Sequence, residues 1–138
     1  MTLGTWPEEV PEQFRIPRSK FQNNQVFQKF SNEGIKRKVG DNRLSGGCVI
    51  DDFNKDGYLD IMASSWGFDD ELTVYINQGN GKFRDESSQP GLEGICGGLN
   101  LVSTDYNNDG NIDILVLRGA WLGKRGCVPN SLLKGKWY

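Results

Sequence analysis

Short apolar runs, separated by glycine-rich and acid-rich turns, fill most of the chain. Cys48-Val49-Ile50 is followed by an acidic loop, and then by Ile61 to Ser65 and the alternating segment Leu72 to Ile76. Asn77 to Gly81 has the composition of a hairpin turn, and Lys82 to Asp85 follows it. This pattern predicts four short strands, with the acidic loop between the first and the second.

The same succession recurs later in the chain. Leu99 to Ser103 precedes a second acidic loop, Ile114 to Leu117 follows it, and Ser131 to Leu133 comes after a loop over residues 118–129. No segment has a helical period over about ten residues. The pattern therefore predicts an all-β fold of two tandem four-stranded antiparallel units, with a period of about 53 residues.

The N-terminal segment differs in composition. Pro7, Pro11 and Pro17 lie among charged residues, and proline at this density disfavours both helix and central strand. We expect an extended arm over residues 1–20, with a disordered leader as the alternative.

The rest of the chain, residues 21–138, is predicted to form one repeat domain. Residues 21–30 have the pattern of a partial unit, with a strand from Val26 to Phe30. The repeat units proper are predicted at residues 46–86 and 98–138, after a connecting loop.

Two copies of one acidic motif, D-x-N-x-D-G-x-x-D, occupy residues 52–60 and 105–113. Calcium takes about six to eight oxygen ligands, and a loop wrapped around the ion supplies them from alternate positions. Positions 1, 3, 5 and 9 provide side-chain oxygens, position 7 provides a backbone carbonyl, and the glycine at position 6 permits a turn with positive φ. The motif therefore predicts two Ca²⁺ sites. The predicted ligands are Asp52, Asn54, Asp56, Tyr58 and Asp60 in the first loop, and Asp105, Asn107, Asp109, Asn111 and Asp113 in the second.

Other interpretations of the motif fit less well. An EF-hand needs a glutamate at position 12 and a helix on each side, whereas Ala63 and Val116 occupy that position and the flanks are predicted strands. Turns that are merely rich in Asp, Asn and Gly are the alternative without a metal, but recurrence in matching strand contexts favours cation binding. A shell that ties two strands together indicates a structural ion.

Composition narrows the functional classes. The chain has no histidine, which excludes Ser-His-Asp, Cys-His and His-ligated zinc chemistry. With no nucleophile–base pair and no open metal site, we expect no enzyme and no catalytic residue. The net charge of −2 gives no reason to expect nucleic acid, and no apolar run is long enough to span a membrane.

Cysteines and the N-terminus bear on the compartment. Cys96 and Cys127 could form a disulfide in an oxidising compartment, whereas Cys48 could equally be a buried small hydrophobe. The first residues lack the features of a signal peptide. Two expectations stay open: a cytoplasmic protein, or a leader that is missing from this chain.

Two tryptophans occupy similar places after the acidic loops. Trp66 and Trp121 could stack on sugars from exposed loops, or could pack between neighbouring units. We keep both as candidate ligand-binding residues, with packing as the alternative.

The chain resembles the FG-GAP/VCBS repeat family, which includes integrin α-subunit β-propellers and bacterial secreted repeat proteins. The resemblance lies in Gly46-Gly47, the two acidic loops, the turn segment Asn77 to Phe83, and Pro129 to Leu133. It is most similar to the bacterial subgroup found with ASPIC/UnbV-type domains. The resemblance implies a four-stranded propeller blade per repeat, Ca²⁺ in each acidic loop, and an extracellular, periplasmic or cell-surface location.

The number of units departs from the family, since a propeller closes with about four to eight blades. The chain could be part of a larger propeller, its N-terminal strands could complete its own last unit, or copies could complete one another. We expect copies to associate into a ring or fibre and to serve a structural or adhesive role. The alternative is a lectin-like or protein-binding extracellular propeller fragment.

Overall fold

The computed structural model describes residues 10–15, 29–89, 91–118 and 127–136. Its chain divides into two compact units, Met1–Asn32 and Glu33–Tyr138. In the first unit, a single 3-10 turn (η1, Glu12–Phe14) follows Pro11. The rest of the predicted arm lies outside the described residues. So does most of the predicted partial unit over residues 21–30, of which Lys29 and Phe30 have no regular secondary structure.

The second unit begins with one helical turn, α1 (Gly34–Arg37), inside the segment predicted to be a connecting loop. Lys38 ends this turn in the left-handed conformation, with φ of 66°. The Glu33 carboxylate accepts hydrogen bonds from Arg37 and Lys36. The first of these bonds, together with the field of Arg37, lowers the pKa of Glu33.

Two antiparallel sheets follow, which confirms the all-β prediction. The first contains β1 (Ser45–Asp51), β2 (Asp60–Ser65), β3 (Thr73–Asn77) and β4 (Phe83–Asp85), in that spatial order. The second contains β5 (Asn100–Thr104), β6 (Asp113–Leu117) and β7 (Ser131–Leu133). Four strands were predicted for each unit, but the second sheet has three among the described residues.

Strand registers show that the two sheets are structural repeats. In the first sheet Val49 pairs with Met62, which pairs with Val74. In the second, Val102 pairs with Leu115, which pairs with Leu132. Each residue of the first row therefore has a counterpart in the second, and the acidic loops occupy equivalent positions between the first two strands of each sheet.

The hydrophobic core lies between the sheets. We call the row Val49, Met62 and Val74 the inner face of the first sheet. The inner face of the second sheet carries Leu101, Ile114 and Val116. Met62, Val74 and Val116 are fully buried. The complete cluster contains Phe53, Met62, Leu72, Val74, Ile76, Leu92, Leu101, Ile114 and Val116, with Val49, Ile95, Ile112 and Leu133 packed against it.

The sheets approach most closely at a glycine-lined seam between β1 and the start of β5. A Cβ atom at Gly47 would lie 2.3 Å from Oδ1 and 2.6 Å from Cα of Asn100, and one at Gly46 would lie 2.5 Å from the Gly98 carbonyl oxygen. The Ser64 hydroxyl lies in this seam, accepting a hydrogen bond from the Gly47 amide (3.0 Å) and donating to the Gly98 carbonyl (3.0 Å). The glycines flagged in the sequence are thus needed for close packing of backbone on backbone.

The structure also bears on the predicted disulfide and on membrane-spanning segments. Cys96 is a free thiol, so the Cys96–Cys127 disulfide is not formed, and Cys48 is exposed rather than buried. In the parts of the chain that the structure describes, no helix has the length and apolar character needed to cross a membrane.

Candidate cation loops

The first acidic loop connects β1 to β2 and is held by its own side chains. Oδ1 and Oδ2 of Asp52 accept the amides of Asp56 (3.1 Å) and Gly57 (2.9 Å). Oδ1 of Asn54 accepts the same Asp56 amide at 3.0 Å. Two predicted ligand oxygens, at positions 1 and 3, therefore converge on one nitrogen atom.

The backbone of the loop needs left-handed residues at two positions. Gly57 at position 6 has φ of 87°, as its residue type predicts, and Lys55 at position 4 has φ of 61°. The Asp56 carboxylate accepts the Tyr58 amide at 2.9 Å and the Asn54 side-chain amide at 2.8 Å. The side chains at positions 1, 3 and 5 thus form one connected set at the tip of the loop.

Asp60, at position 9, is fully buried. Its Oδ2 accepts the amide of Phe53 (3.1 Å) inside the loop, and its Oδ1 accepts the amide of Asn77 (2.8 Å) at the end of β3. Burial raises the pKa of the Asp60 carboxyl, the two backbone amides lower it, and the carboxylates of Asp56 and Asp52 raise it further. Among the described residues no basic side chain forms an ion pair with Asp60.

The second loop repeats this scheme bond for bond. Asp105 accepts the amides of Asp109 (3.0 Å) and Gly110 (2.7 Å), and Asn107 accepts the same Asp109 amide at 3.1 Å. Asp109 in turn accepts the Asn111 amide at 3.0 Å. Positive φ values recur at Asn108 (56°) and Gly110 (82°).

The buried aspartate recurs as well. Asp113 is fully buried, and accepts the Tyr106 amide (3.2 Å) and the Gly135 amide (2.8 Å). Gly135 therefore occupies the place that Asn77 has in the first sheet. Chance turns would not reproduce the same bonds around two buried carboxylates, so the sequence motif corresponds to a repeated three-dimensional unit.

The loops differ in their basic neighbours. Nζ of Lys134 lies 2.9 Å from Oδ2 of Asp109, and this hydrogen bond holds the pKa of Asp109 well below its usual range. Strand pairing makes Ile76 the counterpart of Lys134 in the first sheet, so the first loop has no equivalent ammonium group. The sequence pattern gave no signal for Lys134, because only the pairing of β7 with β6 brings it to the loop.

A lysine of the first loop also reaches the second. Nζ of Lys55 donates to Oδ1 of Asn111 at 2.9 Å. The two loops therefore lie side by side and are joined by this hydrogen bond. Nothing in the motif predicts it, since Lys55 is at a non-ligand position.

Tyr58 and Asn111 were predicted to contribute backbone carbonyls, so their side chains are left for other contacts. The Tyr58 ring is half exposed and lies so close to Gly79 that a Cβ there would be 2.7 Å from the ring carbon Cζ. This contact connects the first loop to the hairpin turn between β3 and β4.

The donor types at both loops fit a hard divalent cation. All predicted side-chain ligands are carboxylate or amide oxygens, and each oxygen that accepts one amide hydrogen keeps a second lone pair. Within the described ranges, no three acidic or cysteine side chains converge as a ready-made metal group.

Of the two candidate ligand-binding tryptophans, the structure describes Trp66. Trp66 is partly exposed (37%) and lines an open cleft of about 550 Å³ together with Phe68, Asn42, Arg43 and Asp69. It is thus placed on a loop surface and not in the core between the sheets. Trp121 lies outside the described residues.

Comparison with known proteins identifies a repeat family. Residues 52–116, which run from the start of the first loop into β6, match the family described as FG-GAP-like repeat. No curated protein and no solved structure gives a significant match.

Proposed function

Since residues 52–116 belong to the FG-GAP-like repeat family and make the chain a β-repeat module, we propose that it is a calcium-stabilised, non-catalytic module with a structural or adhesive role outside the cell. In this proposal each acidic loop binds one Ca²⁺, and copies of the module associate with one another. FG-GAP-like repeats are typical of extracellular proteins, which supports the location. Assignment to the ASPIC/UnbV-associated subgroup stays a prediction.

The observation that carries the proposal is the pair of buried aspartates. A buried carboxylate that has only backbone amides as partners carries a desolvation cost that a nearby cation offsets. Asp60 has this environment, with Asp52 and Asp56 adding negative charge nearby. A divalent ion at the tip of the loop would neutralise these carboxylates and fix the connection between β1 and β2.

Isothermal titration calorimetry with CaCl₂ on the chelator-treated chain tests the proposal. We expect two binding sites per chain, and one remaining site in each of the variants Asp52→Asn and Asp105→Asn. Leu59→Ala serves as the control, because it changes an exposed loop residue that is not a predicted ligand. Absence of heat in all four proteins would refute calcium binding at these loops.

A lectin-like role is the second candidate, and the cleft at Trp66 is the observation that favours it. A partly exposed indole and Phe68, which is 49% exposed, face a polar rim of Asn42, Arg43 and Asp69. Aromatic faces beside hydrogen-bonding groups are suited to sugar rings. Glycan-array binding that is lost in Trp66→Ala but kept in Tyr106→Ala would support this role, and an array with no bound glycan would remove it.

A further inference from the structure

Each sheet has one face in the shared core and one face turned away from it. The outer face of the second sheet is the row Val102, Leu115 and Leu132. Val102 is 41% exposed and Leu132 is 49% exposed. These residues are the counterparts of Val49, Met62 and Val74, which are covered in the first sheet.

The outer face of the first sheet is defined here as Cys48, Ile50, Ile61 and Ala63. Ile50 is 56% exposed, and the strand register places all four side chains on the side opposite Val49 and Met62. Their counterparts in the second sheet line its inner face. In order, these counterparts are Leu101, Ser103, Ile114 and Val116.

The contact between the sheets therefore joins two faces that are not equivalent in the repeat. Within the chain, the inner face of the first sheet, which carries Val49, packs on the inner face of the second sheet, which carries Leu101. The two outer faces form the same complementary pair. The outer face of the second sheet is equivalent to the inner face of the first sheet, and the outer face of the first sheet is equivalent to the inner face of the second sheet.

We propose that the outer face of the second sheet in one copy packs on the outer face of the first sheet in a second copy, continuing the contact that joins the sheets within the chain. This inference rests on the proposed function, because it names the surfaces by which the module associates. A second copy is the occupant that the chain itself provides, with both complementary faces on every molecule. The contact is heterologous, so repeated addition gives a ring or an open fibre.

The strand of the first sheet that would form the contact between copies, β1, is exposed. Inside the chain, contact between the sheets is concentrated on β1, β2 and β5. The equivalent contact between copies would use β5 and β6 of one molecule and β1 of the next. On the first sheet, Thr73 and Tyr75 of β3 are buried near the segment after α1, where Asp41 accepts a 3.4 Å hydrogen bond from Thr73, whereas Cys48 and Ile50 of β1 are open.

Exposed apolar rows of this kind carry a cost in a monomer. Soluble monomers rarely keep contiguous apolar patches in water, and such patches mark interaction sites. A lysine in the middle of either face should therefore prevent association while leaving the fold intact, because the replaced side chain is exposed in the isolated chain.

Analytical ultracentrifugation of the whole chain in calcium tests the inference with Ile50→Lys on β1 and Val102→Lys on β5. The unmodified chain should form multimers as concentration rises, and each variant alone should sediment as a 15.5 kDa monomer. An equimolar mixture of the two variants should form a one-to-one dimer and nothing larger, since each variant keeps the face that the other has lost. Phe68→Lys, at an exposed apolar residue on neither face, should associate like the unmodified chain.

The opposing results are distinct. An unmodified chain that stays monomeric at every concentration overturns the inference, and if calcium still raises its melting temperature, calcium stabilisation stands. Multimers that persist in both variants, or in one of them, overturn the head-to-tail contact but leave self-association in place. Circular dichroism confirms that each variant is folded, and the milder Val102→Gln replaces Val102→Lys if the latter is not.

Discussion

The amide of Asn77 donates a 2.8 Å hydrogen bond to Oδ1 of Asp60, and this bond joins the first acidic loop to the end of β3. The other oxygen of the same carboxylate holds the Phe53 amide, next to a side chain that is itself in the core. Asp60 therefore connects the loop, two strands and the hydrophobic core through one buried group.

Asp60→Asn tests this connection. The amide side chain keeps one acceptor oxygen but turns an NH₂ group toward a backbone amide, and leaving a buried donor without a partner costs about 1–3 kcal/mol. We expect the free energy of unfolding in urea, measured with chelator present, to fall by about that amount. Asp56→Asn, on the exposed loop tip, should change it by less than about 0.5 kcal/mol. Equal effects at the two positions would contradict a clamping role for Asp60.

Ser64→Ala tests the seam between the sheets. The variant loses a hydroxyl that serves the part-buried Gly47 amide and the buried Gly98 carbonyl at 3.0 Å each. Unfolding should become easier by about 1–3 kcal/mol. Ser45→Ala, on the same seam strand but exposed, is the matched control, and a Ser64 variant as stable as this control would argue against the bridge.

Gly47→Ala tests the close approach of the backbones. The added methyl group would lie 2.6 Å from Cα of Asn100, a distance that only movement of β1 away from β5 can relieve. Overpacking of this kind costs about 1–3 kcal/mol. Thermal unfolding would show it as a lower melting temperature, and an unchanged melting temperature would mean that the seam is looser than the structure shows.

Lys134→Met tests the difference between the loops. The Lys134 ammonium group pairs with Asp109 at 2.9 Å and would compete with a cation bound at that carboxylate. Removing it should tighten calcium binding at the second loop roughly two- to fivefold. The measurement is calorimetric titration in the Asp52→Asn background, where we expect only the second loop to bind calcium. Lys136→Met removes the same charge from an exposed neighbour and should have a smaller effect. If both variants bind calcium alike, overall charge and not local competition decides the affinity.

Much of the fold could be predicted from the sequence because short strands and acidic loops have strong local patterns. Alternation in Leu72 to Ile76 and the turn at Asn77 to Gly81 depend on neighbouring residues alone. Gly57 and Gly110 were predicted with positive φ for the same reason, and both have it. Among the described residues the second sheet has three strands and not the four predicted, because strand number depends on long-range pairing as well as on local pattern.

Relationships between distant residues could not be predicted. Lys134 reaches Asp109, and Lys55 reaches Asn111, only after the sheets have formed and packed. Burial of Asp60 and Asp113 behind their loops also depends on β3 and on the backbone that follows β7. A local motif identifies donor types, whereas their partners are set by tertiary contacts.

Calcium stabilisation of this fold is measured by differential scanning calorimetry of the chain in CaCl₂ and in chelator. At a calcium concentration about one hundred times the dissociation constant, each site adds about 2.7 kcal/mol to the stability. For a chain of this length we expect each bound ion to raise the melting temperature by on the order of 10 °C. Asp52→Asn and Asp105→Asn should each lose part of this increase, and the double variant should lose all of it. Identical melting temperatures with calcium and with chelator would rule out calcium stabilisation of the fold.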